Sequence, residues 1–218
     1  MTFPKGNLAP EGAVIKSTAI DPSVVDSNGV CRMEGVAKVF ASEASAIEAI
    51  RADQIHGGDV MVLAGIGPMG TGMEEIYQVT SALKHLPFGK YVAVVTDGRF
   101  SGVSTGACIG HVGPEALAGG PIGHVRDGDV IRIVIDCNKN TGTVDMVGED
   151  GRRFDPAEGA ALLKERTPNK QLAPHPSLPS DSRLWAALQG ISGGAWAGCV
   201  YDVDKIVFGL SKGPEMRP

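Results

Sequence analysis

The sequence predicts an α/β domain whose functional loops follow the ends of buried strands, and three observations lead to this fold class. Between residues 59 and 86, the apolar run DVMVLAG is followed by the glycine-rich turn IGPMGTG and by MEEIYQVTSALKHL, in which apolar residues recur at helical spacing. The same order begins again at 91–112, where YVAVVTDG and RFSGVSTG precede ACIGHV, which is expected to begin a short helix. At 129–147, DVIRIVID and TGTVDMV flank the polar turn CNKN, a pattern that predicts an antiparallel hairpin. Two successive units of strand, turn and helix are typical of an α/β domain.

The part of the chain before these units is predicted to contain strands and one helix. AVIK (13–16) indicates a strand that is entered from an irregular segment with Pro and Gly. GVCRMEGVAKVF (29–40) contains strand-like segments that Gly35 is expected to separate. ASEASAIEAIRAD (41–53) predicts a helix with Ser42 as its N-cap, because the apolar residues that follow share one face.

Two more helices are predicted, one within the first α/β unit and one after the hairpin. The first begins directly after the glycine-rich turn, so Glu74 and Glu75 are expected in its first turn. The second is DPAEGAALLKERT (155–167), with Asp155 as its cap and Pro156 in its first turn.

The composition of the chain changes at about residue 168. PNKQLAPHPSLPSDS (168–182) is rich in Pro and Ser and predicts an extended linker. The following segment is apolar and contains both tryptophans, Trp185 and Trp196. We therefore divide the chain into a domain at 1–167 and, at 168–218, a linker with an apolar tail that packs on the domain or on a partner.

Charge and cysteine content disfavour several function classes. A net charge of −5 and a pI near 5.5 give no broad cationic field for nucleic acid or an anionic membrane surface. The cysteines are scattered without a C-x-x-C pair, which indicates neither a disulfide framework nor a zinc site. They are Cys31, Cys108, Cys137 and Cys199. With no signal-peptide pattern and no apolar run of about 18 residues, the sequence predicts a cytoplasmic protein that binds small molecules or proteins.

The turn TDGRFSGVSTG (96–106) has a structural and a functional interpretation. In the structural one, Asp97 and Ser101 bond to local amides and the glycines supply positive φ angles. In the functional one, the amides of residues 102–106 form a concavity for an anion, Arg99 offers its guanidinium to a carboxylate, and Ser101 faces the substrate. The turn matches neither the P-loop pattern nor G-x-S-x-G, so these motifs do not decide between the two interpretations.

Other candidate residues also have two interpretations. Glu74 and Glu75 either complement a helix dipole or include a hard oxygen ligand for Mg²⁺. His111 is either a proton carrier or ligand, or a packed and hydrogen-bonded core residue. Glu115, after Pro114, is most simply explained by the preference for acidic residues in the first turn of a helix.

Three segments in this order resemble the C-terminal domain of the dihydroxy-acid dehydratase and 6-phosphogluconate dehydratase family. They are GNLAPEGAVIK (6–16), GPMGTGMEE (67–75) and TDGRFSGVSTGACIGHVGPEALAGGPIGHVRDGDVIRIVID (96–136). The resemblance extends from residue 6 to about residue 166, and the third segment is the most specific part of it. GMEEIYQVTSALKH and the aromatic tail are most similar to the sugar-acid branch, the xylonate-type dehydratases.

The resemblance implies a fold, an activity and cofactors. The fold would be a swivelling β/β/α domain, with a β-barrel-like sheet core and flanking helices, similar to the swivelling domain of aconitase-like enzymes. The activity would be that of a hydro-lyase that removes water from a 2,3-dihydroxy acid to give a 2-keto acid. A larger N-terminal domain would hold an iron–sulfur cluster and most of the Mg²⁺ ligands, so we expect this chain to be a detached C-terminal domain that is inactive alone. The whole enzyme is expected to be a homo-oligomer.

The resemblance also implies roles for individual residues. The last glutamate of the family's G-M-x-E segment corresponds to Glu75, which would be a Mg²⁺ ligand, and the serine of D-G-R-F-S-G corresponds to Ser101, which would be the base that removes the C2 proton. Arg99, Gly102 and Ser104 would bind the substrate. A proton next to a carboxylate is very weakly acidic, so this reaction needs a cation on that carboxylate and a Lewis acid for the departing 3-hydroxyl.

Three functional hypotheses therefore remain. The first is the C-terminal part of a sugar-acid dehydratase that contributes Ser101 and Glu75 to a cleft. The second is a non-catalytic swivelling or assembly module whose tail, with Trp185 and Trp196, mediates dimerisation. The third is a small anion-binding protein that uses the turn at 98–106.

Overall fold

The structure of the chain is a computed structural model, which describes residues 1–101, 104, 106–192, 194 and 196–212. Its centre is one mixed sheet in the order β1-β5-β4-β3-β2-β6-β7-β8. The strands are β1 (Gly12–Ile15), β2 (Val30–Phe40), β3 (Val60–Leu63), β4 (Ala93–Thr96), β5 (Ala107–Gly113), β6 (Val130–Asp136), β7 (Thr141–Glu149) and β8 (Arg152–Arg153). The helices are α1 (Glu43–Arg51), α2 (Pro68–Thr71), α3 (Tyr77–Lys84), α4 (Pro156–Glu165), α5 (Ser180–Ser192) and α6 (Val203–Lys212). The predicted α/β class is therefore confirmed.

The long strand β2 joins the two halves of the sheet. Its residues 30–36 pair antiparallel with β6, and its residues 37–40 pair parallel with β3. The prediction that Gly35 separates two strand segments is wrong, because the strand continues through it. Gly35 lies where the pairing partner changes, and a Cβ atom built there would be 1.7 Å from the carbonyl oxygen of Gly58. The glycine therefore permits close approach of two backbones and does not interrupt the strand.

The parallel strands β3 and β4 form the centre of the sheet. Every residue of both strands is buried, which confirms the prediction of buried strands. On one face, α1 and α3 pack against Met61, Leu63 and Val94. The opposite face is covered by a core that includes the inward residues of the β6–β7 hairpin and Leu163 of α4. β3 and β4 are therefore enclosed between a helical layer on one face and the hairpin core on the other.

The predicted helix caps and the hairpin are confirmed. The Ser42 hydroxyl accepts a hydrogen bond from the amide of Ser45 (3.2 Å) at the start of α1. The Asp155 carboxylate accepts one from the amide of Glu158 (2.9 Å) at the start of α4, with Pro156 in the first turn. β6 and β7 pair antiparallel across the turn at 137–140.

Residues 107–112, expected to begin a helix, instead form most of β5. This strand pairs parallel with β4 and antiparallel with β1, so it fills the position between them. Six of its seven residues are buried. Pairing on both sides satisfies its backbone groups, and Gly110 disfavours a helix, so the tertiary context decides the conformation. The second α/β unit therefore has a loop where the helix was predicted.

The C-terminal part lies against the domain through backbone hydrogen bonds and through α5. In the segment predicted to be an extended linker, the amide of Asn169 donates to Gly123 (2.9 Å) and the amide of His175 donates to Gly70 (2.7 Å). A Cβ atom on Gly190 of α5 would be 3.6 Å from Met69 of α2. None of the ten residues of α6 is buried. Within the described ranges, no helix is long and apolar enough to cross a membrane.

Candidate active site at the ends of the parallel strands

The carboxyl ends of β3, β4 and β5 meet at one edge of the sheet. The three strands are parallel neighbours, with Val62 opposite Val95 and Val95 opposite Ile109. Two segments leave this edge. One is residues 64–76, which contain the glycine-rich turn and α2, and the other is residues 97–101. In open parallel sheets, the strand ends where loops diverge are the usual location of binding sites.

The loops after β3 and β4 pair with each other. Glu75 and Arg99 form an isolated parallel bridge, in which the Ile76 amide donates to the Arg99 carbonyl (2.9 Å) and the Arg99 amide donates to the Glu74 carbonyl (3.1 Å). Two trans peptides reach at most about 7 Å, so the Cα atom of Ser101 is within that distance of the Cα atom of Arg99. The sequence-predicted residues 75, 99 and 101 therefore lie on neighbouring loops.

These three residues differ in exposure. Glu75 and Arg99 are exposed, and Ser101 is half-buried. Arg99 makes no ion pair within the part of the chain that the structure describes. Its guanidinium can therefore meet an anionic ligand without first breaking an ion pair to those residues.

Glu74 and Glu75 precede α3, so the prediction that they belong to its first turn is wrong. The helix begins at Tyr77. The buried carboxylate of Glu43, a residue of α1, lies at its N-terminus and accepts a hydrogen bond from the Val79 amide (3.0 Å). Burial raises the pKa of the Glu43 carboxyl, and the nearby charges of Glu74 and Glu75 raise it further. The first-turn amide of α3 is thus satisfied by Glu43, while Glu75 lies in the bridge with Arg99. The sequence contains no local signal for this long-range cap.

Asp97 holds the strand ends together. Its carboxylate is fully buried and accepts hydrogen bonds from the amides of Gly65 (3.0 Å), Ile66 (2.9 Å) and Ala116 (2.8 Å). The structural interpretation predicted that Asp97 bonds to backbone amides, and this is confirmed. These three amides, however, belong to distant segments of the chain and not to the turn of Asp97 itself. Burial raises the pKa of Asp97, and the three amide donors oppose that shift.

The remaining predicted residues of the turn lie further along the loop. Ser104 is buried, with its hydroxyl oxygen 3.0 Å from that of Thr80 on α3. This contact fixes the loop to the helix, and a direct contact between Ser104 and a substrate stays a prediction. Gly102 lies outside the described residues.

Glu115 does not act as a first-turn helix residue. It precedes a short 3₁₀ helix at Ala116–Ala118 without capping it, and its carboxylate accepts a hydrogen bond from the Met69 amide (2.9 Å) at the start of α2. Its pKa is raised to about 7, chiefly by burial and also by the Asp97 charge, while the hydrogen bond from the Met69 amide opposes the shift. Glu115 therefore joins the region after β5 to the glycine-rich turn.

This shift predicts a pH dependence of stability. The folded chain holds the Glu115 proton more tightly than the unfolded chain, whose carboxyl titrates near 4.5, so the free energy of unfolding should fall as pH rises from 4.5 to about 7. Urea unfolding across this range should show the decrease, and Glu115→Gln should reduce it. Glu165→Gln, at an exposed position of α4, is the control and should leave the slope unchanged. An equal slope in wild type and Glu115→Gln would contradict the assignment.

A large surface cavity lies away from this edge. It measures about 550 Å³ and is lined by Val92, Gly106 and Ala107 at the opposite, amino-terminal ends of β4 and β5, together with Lys84 and Lys90. Glu75, Arg99 and Ser101, the candidate residues at the carboxyl ends of the strands, do not line this cavity. We therefore do not assign the candidate site to it. At the edge with the polar residues, Glu75 and Arg99 are exposed and Ser101 is half-buried.

Comparisons with known proteins give a consistent result. Residues 1–171 match the family model described as dihydroxy-acid/6-phosphogluconate dehydratase C-terminal. The chain is 60% identical over 208 residues to D-xylonate dehydratase YjhG of Escherichia coli K12, covering 94% of the chain and 32% of that protein. It is 57% identical over 211 residues to D-xylonate dehydratase YagF of the same organism (97% and 32%). It is 46% identical over 151 residues to the dihydroxy-acid dehydratase of Nocardioides sp. JS614 (69% and 25%). The chain thus spans about a third of the length of its first two relatives.

Proposed function

This chain belongs to the dihydroxy-acid/6-phosphogluconate dehydratase family, and we propose that it is the C-terminal domain of an enzyme that dehydrates a sugar acid to a 2-keto-3-deoxy acid. The observation that carries the proposal is the bridge between Glu75 and Arg99, with Ser101 two residues further on. It supports the proposal because residues that carry a carboxylate, a guanidinium and a hydroxyl have neighbouring backbones at this edge. These are the groups needed to hold a cation, bind a carboxylate and move a proton.

Ser101 is proposed to remove the C2 proton of the substrate, and Arg99 to bind the substrate carboxylate. The Ser101 hydroxyl is a weak base, so its oxygen must be held where nearby donors or a cation favour the alkoxide. The amide of Gly102 is proposed as one such donor. Ser104, bonded to Thr80, is proposed to keep the loop in position as well as to line the substrate site.

Mg²⁺ fits the donor that this edge provides. The ion prefers oxygen ligands, commonly takes one or two carboxylates and fills its other positions with water or substrate oxygens. Glu75 offers an exposed carboxylate, and the described residues contain no group of three or more side chains that could hold a metal ion alone. We therefore propose a shared site in which Glu75 is one ligand and the N-terminal region supplies others. When bound, the ion would neutralise charge that develops on the substrate carboxylate.

An iron–sulfur cluster does not fit the thiols of this chain. Cys31 and Cys108 are buried, and burial raises their pKa values to about 11 and about 12, so neither is a ready thiolate. If the enzyme uses such a cluster, we propose that the N-terminal region holds it. The roles proposed for Ser101 and Arg99 do not involve the cluster.

The open edge and the exposed tail support further parts of the proposal. The N-terminal region would cover the edge and complete the site, with this chain acting as a swivelling domain of the aconitase-like kind. The helix α6 exposes apolar side chains that would pack in a homo-oligomer, namely Val203, Val207, Phe208 and Leu210. A cytoplasmic location is consistent with an enzyme of sugar-acid metabolism.

The proposal is tested by measuring 2-keto acid formation. We define the full-length enzyme as this domain joined to the N-terminal region that its relatives contain. The full-length enzyme should convert D-xylonate or a related aldonate, and this chain alone should not. Turnover by the chain alone, or no 2-keto acid from any aldonate or dihydroxy acid with the full-length enzyme, would contradict it.

A further inference from the structure

His111 lies at an irregularity near the carboxyl end of β5. Gly12 and Val14 of β1 pair with Gly113 and Gly110 of β5, so two steps along β1 match three along β5. The additional residue is accommodated at 111–112, and His111 has a φ of 54°. A bulge of this kind changes the direction of a side chain, and bulges are common beside active sites.

The backbone conformation at His111 does not require a histidine. Its amide donates to the Gly98 carbonyl (2.8 Å), which joins β5 to the loop after β4. A glycine could make the same bond and adopt the same φ without strain. The turn after β3 at the same edge does use glycine at positive φ, at Gly65 and Gly72. The imidazole therefore needs an explanation of its own.

The surroundings of the ring suggest a ligand contact. The ring is half-buried, and it makes no hydrogen bond to any residue in the described ranges. Burial and the positive charge of nearby Arg99 lower its pKa, which favours the neutral form. A neutral imidazole has one donor and one acceptor nitrogen, the combination that a hydroxyl group satisfies.

We propose that His111 is a further substrate-binding residue of the site, which hydrogen-bonds to a hydroxyl of the sugar acid whose carboxylate Arg99 holds. The inference rests on the proposed function and deepens it. It assigns a third element, the carboxyl-terminal part of β5, to the same edge as Glu75 and Ser101. Hydroxyl recognition by this ring also gives a physical reason for a preference for polyhydroxy acids.

The test compares His111→Gly with His111→Asn in the full-length enzyme, using D-xylonate as the substrate. His111→Gly should raise KM about 10- to 100-fold, because a hydrogen bond to the substrate is lost, and should change kcat much less. Its melting temperature should stay close to that of wild type, because the relief of a positive φ offsets the loss of the half-buried ring and the greater freedom of glycine in the unfolded chain. His111→Asn keeps a donor and an acceptor and tolerates positive φ, so its KM should rise only about three- to tenfold.

Asn140→Gly is the matched control. Asn140 also has a positive φ (55°), but it lies in the turn between β6 and β7, far from the strand ends. This variant should likewise keep a melting temperature close to that of wild type, and it should keep its KM.

Each outcome decides the inference. An unchanged KM in His111→Gly or in His111→Asn, with an active wild type, overturns the role of His111 and leaves the proposed function standing. A lower melting temperature in both variants, with loss of activity in proportion, shows a packing role and also overturns it. If the wild-type enzyme converts no sugar acid, the proposed function fails and this inference fails with it.

Discussion

Replacing Ser101 by alanine in the full-length enzyme is expected to lower kcat by about 10³, within the usual contribution of a general base. The side chain is small and half-buried at an open edge, so its removal should not unfold the domain. KM should change little, because Arg99 still holds the carboxylate. Steady-state kinetics with D-xylonate and exchange of the C2 proton with deuterated solvent should both show the loss.

Ser104→Ala is the matched control for this prediction. It removes a hydroxyl from the same loop, but that hydroxyl contacts Thr80 and is buried. Loss of this bond should cost about 1 kcal/mol of stability and reduce kcat only a few-fold. A Ser101→Ala enzyme as active as Ser104→Ala would exclude Ser101 as the base.

Asp97→Ala is expected to have the largest effect on stability, lowering the free energy of unfolding by about 4 kcal/mol. The substitution leaves three buried amides, from Gly65, Ile66 and Ala116, without their acceptor. Each unpaired buried donor costs roughly 1 to 3 kcal/mol, and partial relaxation makes the sum smaller than three separate losses. Urea unfolding monitored by circular dichroism measures this change.

Asp136→Ala tests whether burial is the reason for that cost. The Asp136 carboxylate also accepts hydrogen bonds from two amides, of Asn138 (3.0 Å) and Lys139 (2.8 Å), but at an exposed turn. Water can replace the carboxylate there, so the loss should be about 1 kcal/mol or less. Similar losses for the two variants would refute the view that Asp97 is the buried tie between the strand ends.

The elements that the sequence predicted correctly have local signals. The buried strands β3 and β4 are short apolar runs, and the hairpin has alternating faces on both sides of a polar turn. The caps at Ser42 and Asp155 depend only on residues three positions away. The roles assigned to Glu75, Arg99 and Ser101 stay predictions, and the structure shows only that the backbones of Glu75 and Arg99 form a bridge between neighbouring loops.

The incorrect predictions share a long-range cause. β5 is a strand because β1 and β4 offer it partners on both sides, and nothing within 107–112 indicates those partners. Glu75 precedes the helix, and the side-chain acceptor for a first-turn amide comes from Glu43, more than 30 residues earlier. Gly35 was predicted to interrupt a strand, whereas its lack of a side chain allows the backbone of Gly58 to lie close to β2. Such contacts depend on the assembled fold and have no signature in a local window.

The most direct test of the account is a crystal structure of the full-length enzyme with Mg²⁺ and a 2-hydroxy-3-deoxy acid, an analogue without the departing hydroxyl. We predict that the analogue binds at the carboxyl ends of β3, β4 and β5, with its C2 atom about 3 to 3.5 Å from the Ser101 hydroxyl oxygen. The Glu75 carboxylate should ligate the ion. An analogue bound at another face of the domain, with Ser101 and Glu75 covered by protein and far from it, would contradict the account.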